Sequence, residues 1–249
     1  FPVAREMIKH LVADGRFDYM ETGSLISIRK NVQDIVIPSE EERAELWPLD
    51  FEGYLWALGR RNLADEIRRC RDAFEPLPDS LHRQCTRLFN EYMLVGGMPQ
   101  SVSDFIENAT FTQSDKTKRQ ILALYAEDIE KFGAKDARRA YSIFMGIPGQ
   151  LSQGSKRFKF SSLGKGSRYR QYESALRWLE DAHYVNICRL CNDPNVGFKL
   201  TADEGEGSSL KCYMGDTGLL VSSVFDEGAE TEQIYRALQF GKLSINRGM

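Results

Sequence analysis

The sequence predicts a chain of mixed class, α/β at its front and α+β at its back, with a helical stretch between. Three observations carry this. Residues 2–20 read as helix, turn and short strand, one unit of a parallel sheet. Residues 50–95 place their apolar groups at helical spacing. Beyond residue 118, helical stripes give way to short alternating runs around a turn, the pattern of a hairpin.

In the first unit, Val3, Met7, Ile8, Leu11 and Val12 share a helical face, Asp14-Gly15 turns the chain, and residues 17–20 read as a strand. Residues 35–37 and 46–49 are further extended pieces on either side of the acidic run Glu40-Glu41-Glu42. Asp50 is placed to cap a helix holding Phe51, Tyr54, Leu55 and Leu58, since its carboxylate can take an orphan amide of the first turn. Residues 60–72 form a charged amphipathic helix with Leu63 and Ile67 inward. Pro76 and Pro78 break the chain before a helix from about 80 to 94, whose stripe is Leu81, Cys85, Leu88, Tyr92 and Val95. Gly96-Gly97-Met98-Pro99 ends it, glycine and then proline being the residues that stop a helix.

Further on, Ile121, Leu124, Tyr125, Ile129 and Phe132 mark one helix, and Ala137, Ala140, Tyr141 and Phe144 a second that Pro148 and Gly149 are expected to break. Residues 157–160 alternate as a strand. Tyr169, Tyr172, Leu176 and Leu179 mark a third helix. Residues 184–190 and 196–200 are strands joined around Asn192-Asp193-Pro194-Asn195, and residues 210–214 are another. Three helices, a small strand and a hairpin are the parts of a winged helix-turn-helix.

The 249 residues suffice for one large or two ordinary domains, and 42% apolar with 28% charged residues is a globular composition. No run approaches the roughly 20 apolar residues of a membrane span, and no secretory signal opens the chain, so a cytoplasmic protein without a membrane partner is expected. A start at Phe1 and a final helical-looking segment read as an internal piece of a longer protein. Five cysteines without framework spacing suit free thiols. Cys188-Arg189-Leu190-Cys191 lacks a second ligand pair and, on a strand, sends its two thiols to opposite faces, so no metal site is assigned. His10, His82 and His183 have no nucleophile at motif spacing.

A phosphate-binding loop needs G-x-x-x-x-G-K-[ST], whose amides cradle the phosphates while its hydroxyl holds magnesium. The nearest piece, Gly164-Lys165-Gly166-Ser167, puts glycine where the hydroxyl should follow lysine and has no strand before it. This segment alone is therefore expected to bind no nucleotide and to be inactive as an ATPase.

Four short stretches nevertheless occur in a telling order: Met20-Glu21-Thr22-Gly23-Ser24, then Glu45-Leu46-Trp47-Pro48-Leu49-Asp50-Phe51-Glu52, then Val95-Gly96-Gly97-Met98-Pro99, then Tyr213-Met214-Gly215-Asp216-Thr217-Gly218-Leu219-Leu220. Together they resemble the prokaryotic AAA-class ATPases that carry a C-terminal domain of unknown function, and they cover nearly the whole chain. The resemblance implies the late part of a P-loop ATPase core at 1–58, a helical lid or linker at 59–114, a winged-helix-like domain at 115–225 and the start of a further C-terminal segment at 226–249. It implies ATP and magnesium in the intact protein, held by motifs upstream of Phe1, and in many members a nuclease-like domain beyond Met249. Hydrolysis would be coupled to movement of the winged domain.

The resemblance puts Thr22 or Ser24 beside the γ-phosphate and the attacking water, although Thr-Gly-Ser is also ordinary turn chemistry. It offers Arg43 as an arginine reaching a neighbouring subunit's phosphate, in a homo-oligomer; here Ser39-Glu40-Glu41-Glu42 lacks the glycine that precedes that arginine, and pairing with the acidic run is the other reading. The rival from another class is a non-enzymatic winged-helix module that binds DNA or regulates. From 155 to 172 the chain carries Lys156, Arg157, Lys159, Lys165, Arg168 and Arg170 and no acid. Cations in the first turn of a helix oppose its dipole, so helix stability does not explain them. Contact with nucleic-acid phosphates does, and so does an interface with another domain or a protein client.

Overall fold

The structure, a computed structural model, describes residues 10–20, 42, 44–132, 136–190, 209–226, 228 and 230–241. It is mostly helical, with one small antiparallel sheet among the described residues. Helix α1 (Phe51–Ala57) starts where its cap is expected, the Asp50 carboxylate accepting from the Gly53 amide at 2.7 Å. Helix α2 (Arg61–Ala73) turns Leu63, Ala64 and Cys70 inward and keeps its arginines outside, with Arg69 on Glu66 at 2.8 Å. Helix α3 (Asp79–Val95) ends at Gly96, whose φ of 82° lies in the left-handed region. Helix α4 (Pro99–Asn108) opens with proline at a position where no amide is needed.

Helix α5 (Phe111–Phe132) is the longest described element, and the expected border between lid and winged region at 114/115 falls inside it. Helix α6 (Ala137–Leu151) follows, then a short 3-10 turn at Phe160–Ser162, and then helix α7 (Tyr169–Asp181). Strand β1 (Val185–Arg189) pairs with β2 (Leu210–Met214), Val185 opposite Met214 and Arg189 opposite Leu210. Helices α8 (Thr217–Val224) and α9 (Thr231–Gln239) complete the described chain.

The apolar side chains form three clusters. One lies between α1, α2 and α3, around Leu55, Leu63 and Leu88. A second gathers Tyr54, Val95, Phe105, Phe111, Val221 and Tyr235, from α1 through to α9. The third joins Ile129, Phe144, Leu176, Leu179, Val185, Cys212 and Leu219, binding α5, α6 and α7 to the hairpin and α8. Helix α5 gives Phe111 to one cluster and Ile129 to the next, and α8 divides its residues in the same way.

Three local expectations differ from what is observed. Residues 17–20 are irregular and exposed rather than a strand; among the described residues none pairs with them, and an extended segment without a partner makes no ladder. Pro148 does not end α6: it removes the one amide that would donate to the Phe144 carbonyl, but the helix runs on to Leu151 and the Pro148 carbonyl accepts from Ser152 at 3.0 Å. Residues 157–160 make a single strand-like rung, the Phe158 amide donating to the Leu210 carbonyl at 2.8 Å, before the chain tightens into the 3-10 turn. Residues 196–200 lie outside the described residues, as does Cys191. No helix among the described residues is long and apolar enough to cross a membrane.

Candidate functional site

Thr22, Ser24 and Arg43 lie outside the described residues. The other three stretches of the fourfold pattern meet at one point. The Leu49 amide donates to the Gly97 carbonyl at 2.7 Å, and the Tyr92 hydroxyl donates to the Leu49 carbonyl at 2.9 Å. The Gly97 amide donates to Asp216 Oδ2 at 2.6 Å, while Asp216 Oδ1 caps α8 by accepting from the Leu219 amide at 2.9 Å. One buried carboxylate thus ties the break after α3 to the start of α8, across 119 residues. Burial raises the Asp216 carboxyl above the usual carboxylate range, against the pull of the Gly97 and Leu219 amides and the Lys118 ammonium.

The glycines at this junction are there because backbones touch. A Cβ on Gly97 would lie within 3.0 Å of the Leu49 backbone, and one on Gly218 would be as close to the Val95 carbonyl and Gly96. On Gly96 it would strike the Asp216 carboxylate. No side-chain carbon fits at such separations.

Beside the junction is a buried polar network that sequence reasoning missed. Asp115, 1% exposed, accepts from Ser222 Oγ and Tyr235 Oη at 2.6 Å each and from Arg119 Nε at 2.7 Å. Lys118 is fully buried and donates from Nζ to the Leu94 carbonyl at 2.6 Å and to Tyr235 Oη at 3.2 Å. Arg119 also reaches the Phe225 carbonyl at 2.7 Å. Burial pushes the Asp115 carboxyl up, but its three donors outweigh burial and hold it below its ordinary value. Burial brings the Lys118 ammonium down to about 7, although Asp115 and Asp216 favour its charge. A signal was present in the sequence: Phe111, Asp115, Lys118, Leu122, Tyr125 and Ile129 alternate by four and three, so a carboxylate and an ammonium occupy core positions of a helix. Charged groups are rarely buried unless paired.

The basic tract folds into the approach to α7. Arg157, Lys159, Lys165, Arg168 and Arg170 are exposed, and Lys156 is half-buried with Nζ on the Leu151 carbonyl. Gln150 fixes the strand-like stretch, its side-chain amide meeting both the amide and the carbonyl of Lys159. Gly164 and Ser167 close a turn at 3.1 Å with Gly166 at φ 78°, which presents Lys165 just before the helix. Arg168 sits at the cap position of α7, its amide donating to Gln171 Oε1 at 3.0 Å. The tract and the polar junction therefore occupy different parts of the fold, joined by α5 and α8. His183, at the turn from α7 to β1, packs edge-on against Trp47 with ring centres 4.1 Å apart.

Residues 86–229 match a family described as a domain of unknown function, DUF8612, and the chain belongs to that family. The match starts within α3 and ends beyond α8, so it holds both glycine-bearing stretches of the junction, the buried network except for Tyr235, and the whole basic tract. No curated protein and no solved structure matches the chain.

Proposed function

We propose that this DUF8612 chain is the late core, lid and winged-helix portion of an AAA-class ATPase, in which ATP hydrolysis by the intact protein moves the winged region against the nucleotide-binding core. The observation that supports the reading is the junction. Three of the four stretches that carry the resemblance lie far apart in sequence and share one set of backbone bonds around Gly97 and Asp216. A shared hinge is what an ATPase needs where its core hands over to a lid and a moving module. The order α6, strand-like rung at Phe158, 3-10 turn, α7, β1 and β2 supports the winged-helix part of this reading, in which α7 takes the place of the recognition helix. On this reading ATP and magnesium are bound by residues outside the present sequence, Thr22 and Ser24 sense the γ-phosphate, and Arg43 reaches a neighbouring subunit in a homo-oligomer.

The test is the full product of the natural reading frame. Magnesium-dependent ATP hydrolysis is expected, reduced about 10–100-fold when Thr22 and Ser24 are both changed to alanine, the worth of one charge-assisted hydrogen bond to the reacting phosphate. A full product with no phosphate-binding loop and no hydrolysis overturns the proposal.

A second reading is favoured by the exposure of five cations in a stretch without acids: the winged region binds DNA. It is compatible with the first, since the motor would then act on what the winged region holds.

A further inference from the structure

The outer face of α7 carries an electrostatic division that bears on how it could meet DNA. Arg170, Ser174, Arg177 and Asp181 form its exposed stripe, spaced as successive turns of one helix face. The stripe begins at Arg170. In the middle, Ser174 Oγ donates to the Asp136 carboxylate, which comes from the start of α6 and also takes Arg139 at 2.7 Å. One turn on, Arg177 is paired to Glu173 at 2.7 Å, and the stripe ends at Asp181. A helix lying along a DNA groove would present there two carboxylate–arginine pairs with no net positive charge and then Asp181, so the middle and far end of the stripe add no attraction for phosphates.

By contrast, Lys159, Lys165, Arg168 and Arg170 follow one another, each exposed, along the approach to α7 and its first turn. The Gly164 to Ser167 turn sets Lys165 ahead of the helix, and Gln150 holds the backbone at Lys159. These are long side chains that deliver charge, with no carboxylate in the same stretch of sequence.

We propose that the winged region grips the phosphates of duplex DNA with Lys159, Lys165, Arg168 and Arg170 at the leading end of α7, and reads no base sequence along that helix. The inference rests on the second reading above and adds the mode of contact. Contacts to phosphates position a protein on a duplex without telling one sequence from another.

The experiment measures binding of the protein to two labelled short duplexes of unrelated sequence across a salt series. Affinities for the two are expected to agree within about threefold. Both are expected to fall roughly 100-fold between 50 and 200 mM salt, the counterion release of about four phosphate contacts. The double variant Arg168→Glu, Arg170→Glu is expected to weaken both duplexes by at least tenfold, and Lys165→Glu, placed in an exposed turn, provides a second variant whose folding is not in question. A tenfold or greater preference for one duplex overturns the inference and leaves the DNA reading standing. Binding unmoved by either variant overturns the assignment of this face. Absence of binding to both duplexes at low salt overturns the DNA reading and the inference with it.

Discussion

Gly97 and Asp216 show how much one position can hold. Gly97 gives its carbonyl to Leu49 and its amide to Asp216, and it leaves no room for a side chain. Gly97→Ala is expected to lower stability by about 2–3 kcal/mol, in the upper part of the usual overpacking range, because the obstacle is backbone rather than the end of a flexible side chain. Asp216→Ala removes the cap of α8 and strands the buried Gly97 amide, with an expected loss of about 2–4 kcal/mol from the two effects together. Urea unfolding of both variants checks this. Midpoints equal to that of the parent protein would mean that the junction is not a structural tie. The Asp-x-Gly-Leu and Gly-Gly-x-Pro patterns were legible as patterns, but their meeting was not. A hydrogen bond between positions 97 and 216 leaves no trace in local periodicity.

At the scale of elements, helices with a clear cap or stop were readable from their own residues. Asp50 caps α1 as its chemistry requires, Gly96 ends α3, and β2 has the bounds that its alternation gives. Extended segments were less readable, because a strand exists only through its neighbour; residues 17–20 and 157–160 have the composition but no full partner among the described residues. Helix α5 was read from Ile121 onward, and its first turns escaped because Asp115 and Lys118 look like surface residues. They are buried because Tyr235 returns from α9, 120 residues away, to satisfy Asp115.

This placement has a consequence for pH. The unfolded chain keeps the Lys118 proton to its ordinary value of 10.5, while burial lowers the folded value to about 7. Between these values the unfolded state binds more protons, so this group makes stability rise with pH, by at most about 1.4 kcal/mol per pH unit. Compared with Lys118→Met, the parent protein is expected to gain stability from pH 6.5 to 8.5. The difference is informative because the buried thiols of Cys85 and Cys212, which burial also shifts, are common to both proteins and cancel. Parallel pH profiles would show that the ammonium is not held in a low-dielectric site.

In the whole molecule, the clusters are linked by shared helices rather than separated by a linker. Because α5 and α8 each belong to two of them, the α1–α4 side and the hairpin side are expected to unfold together. Helix α2 stands apart. It buries few side chains and packs into the smallest cluster, so its amides are expected to exchange with solvent at a lower free energy than those of α3, α5, α7 and α8. Hydrogen exchange followed by mass spectrometry checks the order, and an α7–hairpin unit that opens independently of α3 would contradict it.

Helix α5 also has a mechanical meaning. Its 22 residues make a rod about 33 Å long, with Lys118 pinned about a third of the way along and Ile129 seated near the far end. Stiff rods convert rotation into travel: from Lys118 to the far tip is about 21 Å, so a pivot of about 5° at Lys118 would swing that tip by about 2 Å. A buried fulcrum and a long arm in one fold would let a small change near Leu49 be felt, enlarged, by the packed helices at its other end.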